Sequence, residues 1–197
     1  MDIQPSRKQL THDRIVETAA RAIRRAGFNG VGVADIMKEA GLTHGGFYAH
    51  FASRNALLAE ARERAGRDSA AAIAKKVSNR QIQGSASAFR ALVEGYLSDR
   101  HLRSPESGCP VAALASEMPR QSAEVRQAAA QRVRGLVAAV QRTLPAGTAA
   151  DSAASIASQM VGSLQLARAL GDNAEGQALL TAARRDLLAR YDNQQIH

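Results

Sequence analysis

The chain has 197 residues, enough for one small and one larger domain with buried cores, and its formal net charge at pH 7 is +8. A single cysteine excludes an intrachain disulfide framework and a zinc site built from cysteines. No hydrophobic segment follows Met1 and no apolar run approaches the length of a membrane span, so we expect a cytoplasmic protein without a membrane partner.

Apolar residues recur at helical spacing along almost the whole chain, and no alternation of period two is long enough for a strand. The pattern predicts an all-α protein with about nine helices. The first helix is expected from about residue 12 to residue 26, with Thr11 as its N-cap and Gly27 as its terminator. A long helix should begin after Ser53, reach about residue 77 and be followed by a polar break over 79–87.

The remaining sequence predicts a helix that starts near Phe89, a loop over 103–108 and four further helices. Prolines and glycines separate these four helices. We expect residues 1–6 and 193–197 to be disordered. The four helices are predicted over 110–118, 121–143, 149–170 and 174–191.

Between the first helix and the long helix lies a short apolar segment that ends in glycine. Val33, Ile36 and Ala40 recur at helical spacing, and Gly41 is the residue type that ends a helix in the left-handed conformation. Leu42 follows as an apolar contact to the helix just completed. This pattern predicts a short helix and a tight turn.

A second short helix is expected after the turn, with Thr43 as its cap. Phe47 and Phe51 are four residues apart and would be buried together on one face. Two short helices joined by a tight glycine turn form the geometry that places a helix in the major groove of DNA. The side chains predicted to face solvent are His44, Tyr48 and part of His50.

Over roughly residues 7–60 these features resemble the DNA-binding region of the tetracycline-repressor (TetR) family of transcriptional regulators. The resemblance implies an N-terminal three-helix helix-turn-helix domain over 7–52 and an α-helical effector-binding and dimerisation domain over 53–192. It depends on Arg14, Ile15, Ala19, Ala20, Gly27, Phe28, Val33, Asp35, Ile36, the run 40–51, Ser53, Arg54, Leu57 and Leu58.

The resemblance also implies individual roles. Tyr48 and His50 are expected to contact phosphates, Thr43, His44 and Gly46 to face base edges, and Arg54 to open the next helix near the DNA backbone. Fourteen Lys or Arg against eight Asp or Glu in residues 1–80 place the basic excess beside the motif, as phosphate binding favours. The predicted DNA-binding residues are Thr43, His44, Gly45, Gly46, Tyr48, His50, Arg54 and Arg14.

The sequence departs from the family pattern at two places. Val31 and Gly32 stand where many members have a hydroxyl residue that caps the second helix and binds a phosphate, so that contact is not expected here. Gly45 and Gly46 are unusual in a helix, where each glycine costs about 1 kcal/mol relative to alanine. We interpret the pair as allowing close approach of the protein backbone to DNA.

The last two predicted helices carry apolar stripes that allow two interpretations. The stripes either pack within one protomer or form a four-helix bundle between two protomers, as the resemblance implies. A homodimer would present two recognition helices to a pseudo-palindromic, double-stranded operator. The candidate dimer-interface residues are Met160, Leu164, Leu180 and Leu187.

Cys109 is a candidate effector or redox site. Pro110 favours the first position of a helix, which makes Cys109 its N-cap and places the thiol at the positive end of the helix dipole. The segment from Gly108 to Glu117 resembles a branch of TetR regulators in which this helix borders the ligand pocket and a comparable cysteine senses electrophiles or oxidants. The alternative is a small, buried, inert cysteine.

We therefore predict a homodimeric, sequence-specific regulator, a repressor released by an unidentified small-molecule or thiol-reactive effector. No catalytic constellation, metal site or cofactor is expected, and the protein is predicted not to be an enzyme. One alternative is a constitutive DNA-binding protein without an effector. Another is an enzyme with Cys109 as nucleophile and His101 as base.

Overall fold

The computed structural model describes residues 4, 6–82, 87–145, 147–149 and 151–192. These residues form nine α-helices and three short 3₁₀ helices without a strand, which confirms the all-α class. None of the helices in these ranges is both long enough and apolar enough to cross a membrane. The α-helices are α1 (Arg7–Ala26), α2 (Val33–Glu39), α3 (Arg54–Ile82), α4 (Ala88–Tyr96), α5 (Asp99–Arg103), α6 (Pro110–Leu114), α7 (Ala123–Gln141), α8 (Ser152–Leu170) and α9 (Ala174–Tyr191). The 3₁₀ helices are η1 (His44–Ala49), η2 (Pro105–Ser107) and η3 (Met118–Arg120).

Helix α1 begins earlier than the sequence predicted. The hydroxyl of Ser6 accepts a hydrogen bond from the backbone N–H of Gln9 at 3.2 Å, which makes Ser6 the N-cap. The hydroxyl of Thr11, the expected cap, instead donates to the carbonyl of Arg7 within the helix at 2.9 Å. A competent cap at Ser6 was available five positions upstream, so the prediction at Thr11 was wrong. The helix ends at Gly27, which has φ of +79°.

Helix α3 connects the two halves of the molecule. It begins as predicted, with the hydroxyl of Ser53 accepting from the N–H of Ala56 at 3.1 Å. Its 29 residues continue to Ile82, beyond the end predicted near residue 77, and residues 83–86 of the expected polar break lie outside the described ranges. The first half of α3 packs on α1 through Leu57 and Ala61, and the second half contacts α4.

Two buried clusters form the core. The first unites α1, α2, η1 and the first half of α3, and the second unites α4 through α9. Leu114 of α6 packs in the first cluster, whereas Val111 and Ala112 of the same helix pack in the second. Helix α6 therefore joins the N-terminal domain to the C-terminal helices.

The stripes on α8 and α9 belong to the interior of a single protomer. Each of the four candidate interface side chains has 0% exposure and packs in the C-terminal cluster. A side chain that is fully buried in one protomer cannot contact another, so the intermolecular interpretation was wrong for these residues. They are Met160, Leu164, Leu180 and Leu187.

Candidate nucleic-acid interface and adjoining cavities

The turn between α2 and η1 has the predicted left-handed glycine geometry. Gly41 has φ of +73°, a conformation that side-chain-bearing residues rarely adopt. Its N–H donates to the carbonyl of Lys38 at 3.0 Å, and the N–H of Leu42 donates to the carbonyl of Met37 at 2.9 Å. These bonds satisfy the last carbonyls of α2 and reverse the chain sharply before η1.

The segment predicted as the recognition helix is a 3₁₀ helix rather than an α-helix. Its hydrogen bonds span three residues, as in the bond from the N–H of His50 to the carbonyl of Phe47 at 2.9 Å. Gly45 and Gly46 disfavour the α-conformation by about 1 kcal/mol each, and so short a segment tolerates 3₁₀ geometry. Thr43 occupies the cap position, although its side chain makes no capping hydrogen bond.

Burial of two phenylalanines fixes the orientation of η1. Phe47 and Phe51 are buried, and their rings stack with centroids 5.6 Å apart. The opposite face is open, because Tyr48 is 72% exposed and Thr43 and His44 are also exposed. A side chain added at Gly45 would meet no atom within 4 Å, so the backbone itself forms part of this surface.

His50 is anchored more firmly than Tyr48. Its ring is half-buried, its centroid lies 6.2 Å from that of His12, and its Nδ1 is buried without a hydrogen-bond partner among the described residues. The ring of His12 stacks on Phe51 at 4.5 Å. The face predicted to contact phosphates therefore combines one exposed side chain, Tyr48, with one half-buried side chain, His50.

The two predicted arginines differ in their surroundings. Arg14 is exposed on α1, and the described part of the chain supplies it with no hydrogen bond or ion pair. Arg54 begins α3 as predicted, and its Nη2 donates to the carbonyls of Phe28 and Val31, the latter at 3.2 Å. Arg54 thus secures the connection between α1 and α2, a structural role that the sequence did not indicate.

The start of α2 lacks the hydroxyl cap that many TetR members have, as the sequence indicated. Val31 is buried, and Gly32 occupies the N-cap position without a hydroxyl group. The carboxylate of Asp35 accepts from the N–H of Gly32 at 3.3 Å. The backbone N–H at the start of α2 is therefore satisfied by the Asp35 side chain.

Two hydrogen bonds connect the N-terminal domain to the segment around Cys109. Arg24 on α1 is only 4% exposed and donates from Nη1 to the carbonyl of Gly108 at 3.2 Å. The carboxylate of Glu117 accepts from the backbone N–H of Phe28 at 2.9 Å. The local sequence pattern indicated neither contact, because each joins residues 84 or 89 positions apart.

Burial determines the electrostatics of Arg24. Desolvation lowers its pKa from the usual arginine value, and the negative charges of Asp68 and Glu106 oppose that shift. The guanidinium also donates from Nε to the carbonyl of Ala20 at 2.9 Å. Arg24 is therefore a buried cation that bonds to carbonyl groups on both sides of the domain boundary.

Cys109 separates two cavities in the C-terminal domain. A cavity of about 490 Å³ lies between α3, α6 and α7, and one of about 460 Å³ lies between α3, α4 and residues 100–109. Ser69, Ile73 and Cys109 line both cavities. Cys109 is buried and stands at the predicted N-cap of α6, directly before Pro110.

A network of backbone and ring contacts positions Cys109. Its N–H donates to Nε2 of His101 at 3.0 Å, and Nδ1 of the same ring lies 2.6 Å from the carbonyl oxygen of Tyr96. Because that carbonyl can only accept, Nδ1 carries the proton and Nε2 is the acceptor. Both ring nitrogens therefore bond to the backbone, which leaves His101 badly placed to act as a base for the thiol.

The phenol of Tyr96 lies beside the thiol of Cys109. Burial, followed by the neighbouring thiol, raises the pKa of Tyr96 well above the usual tyrosine value. The Tyr96 hydroxyl has no well-aligned hydrogen-bond partner in the described ranges. Arg168 closes the network from α8, where its Nη2 donates to the carbonyl of His101 at 2.7 Å.

Across the described ranges, no three His, Cys, Asp or Glu side chains cluster so as to hold a metal ion.

Comparisons with known proteins cover both halves of the chain. Residues 15–61 match the family described as bacterial regulatory proteins, tetR family, and residues 85–183 match the tetracyclin repressor-like C-terminal domain. An uncharacterized HTH-type transcriptional regulator of Mycobacterium tuberculosis is 29% identical over 186 residues, which cover 91% of this chain and 88% of the relative.

Solved structures share the fold. A TetR transcriptional regulator from Chloroflexus aurantiacus superposes with a TM-score of 0.75 at 21% identity, covering 95% of this chain and 96% of its own. The reduced form of NemR from Escherichia coli gives a TM-score of 0.74 at 19% identity, covering 94% and 99%. A TetR-family regulator from Agrobacterium tumefaciens gives 0.70 at 26% identity, covering 93% and 98%.

Proposed function

Because the chain belongs to the TetR family of DNA-binding transcriptional regulators, we propose that it is a repressor that leaves its operator when an effector acts at the cavities beside Cys109. The observation that carries this proposal is the hydrogen bond from Arg24 to the carbonyl of Gly108. The residue that accepts this bond is the immediate neighbour of the cysteine that lines both cavities. A displacement of Cys109 is therefore transmitted to α1.

Release requires that the effector bind one conformation of the repressor better than the other. In the described conformation, Cys109 is held by its N–H bond to His101, and Gly108 is held by Arg24. An effector that moves residues 108–109 weakens the tie to α1 and changes the position of η1. Coupling of this kind is typically worth about 1–3 kcal/mol, or about 5–150-fold in operator affinity.

The proposed DNA-reading surface is the open face of η1. His44 and the backbone at Gly45 and Gly46 face base edges, with Thr43 beside them, and Tyr48 and His50 contact phosphates. The exposure of His44 and Tyr48 and the anchoring by Phe47 support these roles. Arg14 adds a phosphate contact from the exposed side of α1, and Arg54 contributes through the position it gives to α3.

The proposal includes a cytoplasmic homodimer on a pseudo-palindromic operator. The outward face of α8 offers a surface for it, because Leu166 is 60% exposed and Leu170 is 37% exposed. Gly162 lies four residues before Leu166 on the same face, and a side chain added there would meet no atom within 4 Å. Close approach of two helices is favoured at such a position.

A thiol-reactive effector is the second candidate, and the location of Cys109 in the walls of both cavities favours it. Modification of the sulfur adds bulk at the junction of the cavities. The enzyme alternative is disfavoured, because both nitrogens of His101 bond to backbone groups. The alternative of a constitutive DNA-binding protein predicts no release by any effector.

The test begins with an operator selected from random DNA by the purified protein. The operator is then titrated with wild-type protein and with Cys109→Ser before and after treatment with N-ethylmaleimide. Both proteins should bind the operator before treatment with N-ethylmaleimide. After treatment, only the wild type should lose operator affinity. Equal loss in both proteins would remove Cys109 from the mechanism. No release by this reagent or by any small molecule tested would contradict the regulated repressor and favour constitutive binding.

A further inference from the structure

We propose that the cavity between α3, α6 and α7 binds a small organic anion with an apolar body, and that Arg132 holds the negative charge. This inference rests on the proposed function, since it names the chemical class of effector for the same cavity. It depends on the charge of the lining, on the position of Arg132 and on the absence of a partner for this guanidinium among the described residues.

The lining of this cavity is apolar and cationic. Its walls include Ile73, Val111 and Leu136, and its charged side chains are Arg132 and Arg142. None of the residues that line it is Asp or Glu. The adjoining cavity repeats this pattern: it is lined by Lys75 and Arg100 and by no acidic side chain.

Arg132 lies in the space that a side chain would occupy at Gly66. A Cβ added to Gly66 would lie 2.3 Å from both Cζ and Nε of Arg132, so the guanidinium packs directly against the backbone of α3. Arg132 is half-buried on α7. The absence of a side chain at Gly66 is therefore what allows the guanidinium to reach the cavity wall.

The arginines nearby on α3 differ from Arg132 in their partners. Arg64 pairs with Asp68 at 2.9 Å, and Arg67 lies 3.6 Å from Glu63. Arg132 makes no ion pair or hydrogen bond within the described ranges, although it is less exposed than Arg67. A half-buried guanidinium whose donors have no partner in the described part of the chain is available to form charge-assisted hydrogen bonds with an anion.

The chemistry of the occupant follows from these features. A carboxylate matches the planar donors of arginine, and an apolar body fills the wall formed by Ile73, Val111 and Leu136. The volume of about 490 Å³ is within the range of small-molecule sites. A cationic occupant would face Arg132 and Arg142 without any counter-charge in the lining.

The direct test is a binding titration of the full-length protein, without DNA, against three ligands of equal chain length. These are decanoate, decan-1-ol and decyltrimethylammonium. Decanoate should bind most tightly of the three. Arg132→Gln should lower the affinity for decanoate at least about tenfold, which corresponds to the loss of one charge-assisted hydrogen bond, and should leave the affinity for decan-1-ol unchanged. Arg134→Gln is the matched control, because Arg134 is exposed on the same helix and does not line the cavity.

A second variant moves the guanidinium without removing its charge. Gly66→Ala places a methyl group where the guanidinium lies, so decanoate affinity should fall although Arg132 is retained.

Decanoate should also slow the reaction of Cys109 with N-ethylmaleimide in the wild type, since Cys109 lines the same cavity. Protection should be lost in Arg132→Gln, and Arg134→Gln should protect as the wild type does.

The inference is overturned if decyltrimethylammonium binds as tightly as decanoate, or if Arg132→Gln binds decanoate like the wild type. The operator assay separates this outcome from failure of the proposed function. Release by N-ethylmaleimide with no decanoate binding would refute the anion site and leave regulated repression standing. Decanoate binding with the expected dependence on Arg132, but without operator release, would support the anion site and contradict its role in release.

Discussion

Replacement of Arg24 by methionine tests how the two domains communicate. Arg24 is buried at the domain boundary and bonds to the carbonyl of Gly108 at 3.2 Å. Methionine is unbranched, flexible and uncharged, so it replaces the apolar stem of Arg24 and removes the guanidinium with its hydrogen bonds. If this bond transmits the effector signal, Arg24→Met should uncouple release from effector binding and still permit operator binding.

The expected change in stability is small, because two large effects oppose each other. Loss of a hydrogen bond from a charged donor costs about 1.5–3 kcal/mol, and the carbonyl of Gly108 loses its partner. Removal of the buried charge relieves the desolvation that lowers the pKa of Arg24. We expect the free energy of unfolding to change by no more than about 2 kcal/mol, which leaves the protein folded.

The effect on coupling is expected to be larger. Operator affinity is measured with and without N-ethylmaleimide treatment, and the ratio of the two dissociation constants gives the coupling. Wild type should show a ratio of about 5–150, and Arg24→Met should reduce it towards one, while urea denaturation confirms that the variant is folded. Arg21→Met, on the exposed side of the same helix, is the control. A wild-type ratio in Arg24→Met would refute transmission through this bond.

Four further predictions concern DNA reading, core stability, assembly and pH. In titrations of operator variants, His44→Ala should change base preference at one half-site position by about 1–3 kcal/mol. Tyr48→Phe should instead weaken the binding of all DNA sequences to a similar extent. Leu187→Glu should destabilise the fold by about 3 kcal/mol or more in urea, because this side chain has 0% exposure. Leu166→Glu should leave the fold intact and shift sedimentation from dimer to monomer. Tyr96 has a raised pKa, so its phenol ionises first in the unfolded chain, and stability should fall as pH rises above the ordinary value of about 10. Tyr96→Phe should make that decline shallower in denaturation curves measured between neutral and alkaline pH.

Local sequence patterns predicted the turn and the buried face of the helix-turn-helix, but not the type of helix that follows the turn. The left-handed turn at Gly41 and the burial of Phe47 and Phe51 depend on residues close in sequence, and the structure confirms them. The 3₁₀ form of η1 was not predicted, although Gly45 and Gly46 were recognised as poor α-helix formers. Glycine propensity shows that the α-conformation is weakened but does not determine which alternative replaces it.

Contacts between distant residues explain the predictions that failed. An apolar stripe such as Met160 and Leu164 shows that one face of a helix is buried, and the same stripe would suit a core or a dimer interface. Only the packing of α8 against its own neighbours decides between them. Arg24 and Glu117 also escaped prediction, because their partners, Gly108 and Phe28, are 84 and 89 residues away.

The same long-range contacts provide the physical connection that the proposed control of DNA binding by an effector requires. Helix α6 packs in both clusters, and its N-cap is Cys109, which lines both cavities. The residue before it accepts the bond from Arg24, and Glu117, three residues after Leu114, accepts the bond from Phe28. Under the proposed function, a change in the cavities would reach α1 through Arg24 and the turn after α1 through Phe28. Because α1 packs in the same buried cluster as Phe47 and Phe51, we expect a movement of α1 to reorient the exposed face of η1.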